Sequence, residues 1–371
     1  MKTNQSVLVR LSILTLAAGT VLAATAATTE SNQSKAFPAK DGGTLVMDVD
    51  RGSITIETSD RSDVVIDVQR KVTHVSTARA QEVFAQHEVT FGQDGARVEV
   101  HAKFKKEPGR WFNRGGQNLH VEYRVQTPRR FNLELRTAGG DIVSSDIEGS
   151  IKAKTAGGSL RFATVKGTLD GQTAGGDIQL TSASGPVSVK TAGGSIHLGA
   201  LVADATAETA GGSIAIESTQ GKLKATTSGG DINIGDLGGP AEAQTAAGSI
   251  HVKTAQGALI AKTSGGDIRI DDAQDTVSAQ TAAGSVKVSF SAQPHDDCRL
   301  STSGGEIEVK LAENLGFDVE AETSGGEVTT AIPVATTVVG KHDNKLKGKI
   351  NGGGKALVLK TSAGDVRISK R

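Results

Sequence analysis

Over the middle of the chain, apolar residues fall into fixed columns. The phrase Thr-Ala-Gly-Gly-Asp-Ile at Thr137–Ile142 returns, with small variations, at Thr155, Thr173, Thr191, Thr209, Thr227, Thr245, Thr263 and Thr281, always 18 residues on. Counted from the Thr, position 6 is Ile, Leu or Val in every copy, from Ile142 to Val286. Position 8 is apolar from Phe162 to Val288, and positions 5, 7 and 9 are mainly polar. This period-two alternation predicts a strand with one buried face. A second alternating pair follows at positions 15 and 17, as in Ile151 and Ala153 or Leu223 and Ala225. Gly-rich turns separate the two segments, with Gly pairs at positions 3 and 4 and frequent Gly at position 13. Glycine there suits positive φ or a tight bend.

A fixed period of this length predicts a solenoid. Each 18-residue coil reads as strand, turn, strand, turn, with successive coils stacked as parallel strands about 4.8 Å apart. The fold class is therefore all-β: a single-domain parallel β-helix, or β-solenoid, with an N-terminal β-rich cap. The small residue at position 17 faces the larger ones at positions 6 and 8, which fills a narrow interior. A three-sided hexapeptide helix also has 18 residues per coil, but its apolar columns recur every six residues and these lie nine apart. Position 11 (Ile147, Val165, Leu201, Leu237) leaves room for a flattened third side. Parallel crossovers favour right-handed winding.

Position 5 interleaves Asp141, Ser159, Asp177, Ser195, Ser213 and Asp231. Stacked carboxylates would repel at roughly 5 Å, so the pattern reads as a solvated turn with its charges spaced out. A calcium ladder would need more oxygen ligands per coil than this column supplies.

Residues 1–26 have the pattern of a signal peptide. Lys2 and Arg10 precede an apolar run from Leu11 to Ala24, and Ala24-Thr25-Ala26 has the form of a cleavage site. The alternative is a retained N-terminal anchor. The run is too short and interrupted for a membrane span, and no other stretch is long and apolar enough. Residues 27–136 read as first coils plus the cap, with worn repeats at Thr44–Val49 and Gly52–Glu57 and a short helix from Thr77 to His87 behind a Ser76 or Thr77 cap. Strands resume near Arg97, His120 and Phe131. Residues 137–371 form the repeats and become irregular after 290. There the interval lengthens to 21 residues, at Thr302 and Thr323, and then to 38, at Thr361. The basic stretch Gly340–Gly354 reads as an inserted loop, and the strands at Leu357–Leu359 and Val366–Ile368 as the close of the fold.

Loss of the leader removes Lys2 and Arg10 and leaves 39 basic against 41 acidic residues, a formal charge of −2. That is not the signature of a nucleic-acid binder. Cys298 is the only cysteine, so no intrachain disulfide forms. The densest basic-aromatic cluster spans Lys103–Gly116. Lys105, Lys106, Arg110, Trp111, Phe112 and Arg114 in it are the candidate partner-binding residues. The plainer reading of this stretch is a β-hairpin loop whose aromatics fold back over the cap. His197 and His251 share position 7 but lie three coils apart, roughly 14 Å, so they do not chelate one ion. The Gly-Gly pairs open strands, not helices, which excludes a phosphate-cradling loop. Asp271-Asp272 and Asp296-Asp297 are neighbours whose side chains diverge. No catalytic residue, metal or cofactor is expected. The single Thr of each coil reads as a turn residue.

Three segments together resemble the bacterial putative-adhesin family of β-strand-repeat envelope proteins. They are Gly43–Ile54, the Thr-Ala/Ser-Gly-Gly-Asp/Ser-Ile ladder, and the ending Ile350-Asn351-Gly352-Gly353-Gly354 through Thr361–Val366. The resemblance spans nearly all of the mature chain. It implies a β-helix-like fold at the cell envelope and offers no catalytic residues to carry over. The function expected is an exported, non-enzymatic interaction scaffold, periplasmic, surface-bound or secreted, with a protein or glycan of the envelope as partner. The alternatives are a structural or signalling component of an envelope-stress system and a carbohydrate-active β-helix enzyme.

Overall fold

The computed structural model describes residues 28–105, 119–339 and 343–371. Two open sheets face each other across one core. The first, here the Ile sheet, stacks positions 6–11 of every coil, from Ile142–Ser144 through Leu160–Val165 to Val286–Phe290 and Ile307–Leu311. The second, the Ala sheet, stacks positions 15–18, from Ile151–Lys154 through Leu169–Gln172 to Cys298–Ser301. All of these pairs are parallel; in the regular coils each residue pairs with the one 18 places on, and the last pairings, Val286 with Ile307 and Ser278 with Arg299, span 21. The 18-residue coil is thus the structural rung.

The columns fill the core as their sizes require. Ile178, Leu180, Val187 and Val189 are all buried. A Cβ built on Gly171, at position 17, would lie 3.6 Å from the Phe162 ring, so the bulkiest position 8 stands opposite the smallest position 17. The Ile-sheet ladder skips position 9 and resumes at position 10, which turns position 11 inward. Ile147, Val165, Leu201 and Leu237 are buried there and form the flattened third side.

The glycine pair divides its labour, and φ is not the reason for it. Neither glycine of the repeat has positive φ. A Cβ on Gly158, Gly176 or Gly194, at position 4, would sit within 2.1 Å of the glycine carbonyl oxygen one rung below. A Cβ on position 3 would meet nothing closer than 3.6 Å at Gly175 and Gly193. The sequence agrees, with Ala247 and Ala283 at position 3 and glycine at every position 4.

The position-1 Thr is more than a turn residue. Its hydroxyl donates to the position-4 carbonyl of the preceding rung (Thr155 Oγ1 to Gly140 O 2.9 Å, Thr173 to Gly158 2.7 Å, Thr209 to Gly194 2.8 Å). It also accepts from the N–H of its own position-4 Gly, as from Gly212 at 3.3 Å. These threonines are buried from Thr137 to Thr361. Position 5 forms a second ladder. Asp177 Oδ1 accepts from Ser195 N–H (2.8 Å), Ser213 Oγ from Asp231 N–H (3.1 Å), and Asp231 Oδ1 from Ser249 N–H (2.8 Å). Asp and Ser interchange because the position needs a short acceptor.

At both ends the stacking order departs from chain order. The coil Thr44–Ser59 lies between the Arg97–Phe104/Leu119–Pro128 pair and the coil that begins at Asn132. At the other end, Lys355–Thr361 and Val366–Lys370 do not close the stack. They occupy the penultimate rung, with Phe317–Thr323 and Val328–Thr330 outside them. Lys345–Ile350, read from sequence as part of a loop, is a strand. It pairs antiparallel with Phe317–Thr323 and with Ala335–Val339 and covers the end of the Ala sheet; residues 340–342 lie outside the described residues. At the N-terminal end Thr29–Pro38 and Asp63–Val72 add antiparallel edge strands to the Ile sheet. The helix Thr77–Gln86 is capped by Ser76, whose Oγ accepts from Arg79 N–H, and it buries Ala80, Val83 and Phe84.

Candidate functional site

Of the six residues singled out for partner binding, Lys106, Arg110, Trp111, Phe112 and Arg114 lie outside the described residues. Lys105 is exposed, its N–H donates to Gln86 O at 2.9 Å, and its ammonium is 3.7 Å from Glu88. The flanking strands correct the hairpin reading. Arg97–Phe104 belongs to the Ala sheet and Leu119–Pro128 to the Ile sheet, so residues 105–118 join the two sheets at the N-terminal end of the stack.

At the N-terminal end of the stack is a buried polar cluster that the sequence did not reveal. Asp50 Oδ2 accepts from Phe104 N–H at 2.7 Å. The His87 side chain is fully buried, with Nε2 3.8 Å from Asp50 Oδ1 and its ring 5.1 Å from that of Phe104. The Arg70 guanidinium donates to the carbonyls of Phe84 (3.2 Å) and His87 (3.1 Å) and to Ser31 Oγ (2.8 Å), and it lies over the Phe84 ring. Tyr123 is fully buried. Burial pushes His87 down to about 4, because a charged imidazole loses its hydration; nearby Asp50 opposes the shift, while Arg70 and Arg51 add to it. Burial likewise raises the Tyr123 hydroxyl and lowers Arg70. These residues are far apart in sequence and are scattered over both sheets and the helix end, so no spacing rule marks them.

The outer face of the Ile sheet forms a trench of about 540 Å³. It crosses several rungs, from Thr55 and Glu57 past Ser145, Arg161, Gln179 and His197 to Glu217. Arg161 pairs with Asp141 at 3.1 Å and His197 with Glu217 at 3.6 Å. Such exposed pairs add little stability. The columns differ in their variability. Positions 4 and 6, which face neighbouring rungs and the core, are nearly invariant. Position 7 lines the trench as Val143, Arg161, Gln179 and His197 and continues beyond it as Ala215, Asn233 and His251. The frame repeats and the surface does not.

The acidic neighbours diverge as expected. Asp271 pairs with His251 (2.8 Å) and Arg269 (2.6 Å), and Asp272 with Gln274 (2.8 Å) and Arg371. Asp297 Oδ1 accepts from Ala356 N–H at 2.9 Å, while Asp296 lies 3.6 Å from Lys355. Among the described residues no cluster of three or more His, Cys, Asp or Glu is placed to hold a metal. Cys298 is buried in the Ala sheet, and burial pushes its thiol up to about 11. Among the described residues no helix is long and apolar enough to cross a membrane.

The chain resembles several solved bacterial proteins at low identity. A Bacteroides fragilis protein described as a putative adhesin is 10% identical over 91% of this chain and 97% of its own, with a TM-score of 0.29. A putative adhesin from Parabacteroides distasonis is 13% identical over 75% and 97%, with a TM-score of 0.32. A protein from the same organism described as a putative lipid binding protein is 13% identical over 92% and 96%, with a TM-score of 0.26. None of these likenesses is close enough to carry function across. No curated protein matches the chain. The family model is decisive: it matches residues 42–261 and again 261–369, together nearly all of the two-sheet stack, and the chain belongs to the Toastrack DUF4097 family.

Proposed function

We propose that the protein is an exported, non-enzymatic β-solenoid that serves as an interaction scaffold of the bacterial cell envelope, with an envelope protein or glycan as its partner. The observation that carries this reading is the division between columns. The repeated polar groups, the Thr hydroxyls and the Asp/Ser acceptors, are spent on holding rung to rung. The trench-facing side chains change from rung to rung, as a surface that recognises one partner requires. The raised thiol of Cys298 and the separately paired acids leave the described groups suited to structure rather than to proton transfer or nucleophilic attack. Two surfaces are assigned to the partner: the loop with Lys105, Lys106, Arg110, Trp111, Phe112 and Arg114, and the trench around Arg161 and His197.

The test is binding of purified wild-type protein to isolated envelope fractions, protein-rich and glycan-rich, beside Arg110→Ala/Trp111→Ala and Arg161→Glu/His197→Glu. Loss of binding in one variant, with an unchanged far-UV spectrum, identifies the surface. Binding that neither variant reduces removes both surfaces, and no binding to any fraction contradicts the reading. Export is tested separately by mass spectrometry: the mature chain begins near Ala24–Ala27, and intact Met1 on envelope-recovered protein contradicts it.

A further inference from the structure

Between the rung Cys298–Leu311 and the rung Phe317–Thr330 lies a slot one rung wide, which the chain passes by before it fills it. The filler is the C-terminal rung. Lys355–Thr361 pairs in parallel with Cys298–Ser301 on one side and Phe317–Thr323 on the other. Val366–Lys370 pairs with Ile307–Leu311 and Val328–Thr330. The threonine ladder runs straight through it: Thr361 Oγ1 donates to Gly305 O at 2.8 Å, and Thr323 Oγ1 donates to Gly364 O at 2.7 Å. Leu357, Leu359, Val366 and Ile368 are buried. The walls of the slot therefore offer what any interior rung offers its neighbour, and they read the register of the incoming strands rather than their covalent origin.

A short strap fixes that origin. Lys345–Ile350 lies on the far side of Phe317–Thr323, so the chain must cross the start of that strand to reach the slot. Asn351–Gly354 makes the crossing, with positive φ at Asn351 (50°), Gly352 (85°) and Gly353 (91°). A Cβ on Gly353 would lie 2.4 Å from Asp318 Oδ1, and one on Gly354 would lie 2.3 Å from Gly316 O. Asn351 Nδ2 pins the strap by donating to the carbonyls of Glu313 and Leu315, both at 2.8 Å. This is the physical content of the Asn-Gly-Gly-Gly signature: a left-handed crossing over Asn351–Gly353 with no room for a side chain at Gly353 or Gly354.

We infer that the slot is an acceptor site for the C-terminal rung of a second copy, and that two chains exchange Lys355–Arg371 reciprocally when the strap straightens. Exchange of an identical element preserves its native contacts, which makes it a low-cost route to a dimer and makes the hinge its control point. With the strap bent, the rung meets its own slot first. With the strap extended, the rung is carried away from its own slot and toward another copy.

The experiment uses the full chain with Cys298→Ala, the strap changed at its positive-φ positions by Gly352→Val and Gly353→Val. Ser301 and Lys360 are neighbours across the ladder. One population carries Ser301→Cys and a second, differently tagged, carries Lys360→Cys. They are unfolded, mixed, refolded and oxidised. The expected result is a strand-rich far-UV spectrum, twice the monomer mass by light scattering, and a mixed disulfide-linked pair on a denaturing gel. Monomers or aggregates without that pair overturn the inference. A second arm keeps the native strap and carries the same cysteines. There the linked fraction should be several-fold smaller and rise with the protein concentration during refolding, and its absence at every concentration also counts against the inference.

Discussion

Thr209→Val tests the hydroxyl ladder. Thr209 is buried, donates to Gly194 O at 2.8 Å and accepts from Gly212 N–H at 3.3 Å. Valine keeps the shape and removes both bonds, leaving a carbonyl and an N–H in a water-poor seam. An unsatisfied buried polar group costs about 1–3 kcal/mol. The short bond to Gly194 carries most of this and the long one from Gly212 little, so the net loss is about 2 kcal/mol. Thr209→Ser is the control: it keeps the hydroxyl and loses one methyl, for about 1 kcal/mol. Thr263 lies three rungs away and makes the same pair of bonds. Distant rungs act independently, so Thr209→Val/Thr263→Val should lose about 4 kcal/mol. Urea unfolding followed by far-UV circular dichroism reads these differences as shifts in midpoint at unchanged slope. If valine costs no more than serine at position 209, the hydroxyls are not what ties rung to rung.

Three further outcomes follow from single side chains. His87 sits at about 4 in the folded chain, below its ordinary value, so the folded state binds fewer protons than the unfolded one. Its contribution is intact above pH 6.5 and is lost as pH falls toward 4, by up to about 3 kcal/mol; His87→Phe should flatten that part of the stability–pH curve relative to wild type, and parallel curves would show that the imidazole takes up its proton as readily in the folded chain as in the unfolded one. Cys298, with its thiol pushed up to about 11, should resist a thiol reagent at pH 8 in the folded protein and react once it is unfolded; fast labelling of the folded protein would place it at the surface. Asp231→Ala removes the acceptor for Ser249 N–H and should cost about 1 kcal/mol, whereas Asp231→Ser should be nearly neutral because serine fills this position in neighbouring rungs; a larger cost for serine would make the charge, not the acceptor, the requirement.

The repeating part of the fold was legible because each rung obeys local rules. Alternation at positions 6, 8, 15 and 17 fixed which faces are buried, and the large-against-small contact of Phe162 over Gly171 followed from side-chain volume. The role of Thr and Gly was misjudged because it lies between rungs: the clash of a position-4 Cβ with the glycine below appears only once the coils are stacked. The ends were legible as strands but not in order. Nothing local in Lys355–Arg371 says that it enters behind Phe317–Thr330, because the phrase around Thr361 resembles every other rung. The buried cluster of Asp50, Arg70, His87 and Tyr123 was invisible for the opposite reason: its members share no period and meet only through the cap's antiparallel strands and helix end.

The central claim is that 18 residues make one interchangeable rung. Two deletions test it most directly. Excision of Thr209–Thr226 joins Glu208 to Thr227, brings Ile196 onto Ile232 and Ala205 onto Ala241, and puts Asp231 on Ser195 in the position-5 ladder. One rung of burial and one interface are lost, while the new neighbours are chemically the same. Excision of Thr209–Glu217 removes a strand of the Ile sheet and its Gly-Gly turn, and Leu223 and Ala225 then fall where positions 6 and 8 belong. Urea unfolding of both, followed by circular dichroism, should show a full-rung deletion that stays folded with a modestly lower midpoint. The half-rung deletion should be far less stable or insoluble. Equal stability of the two would contradict the 18-residue rung.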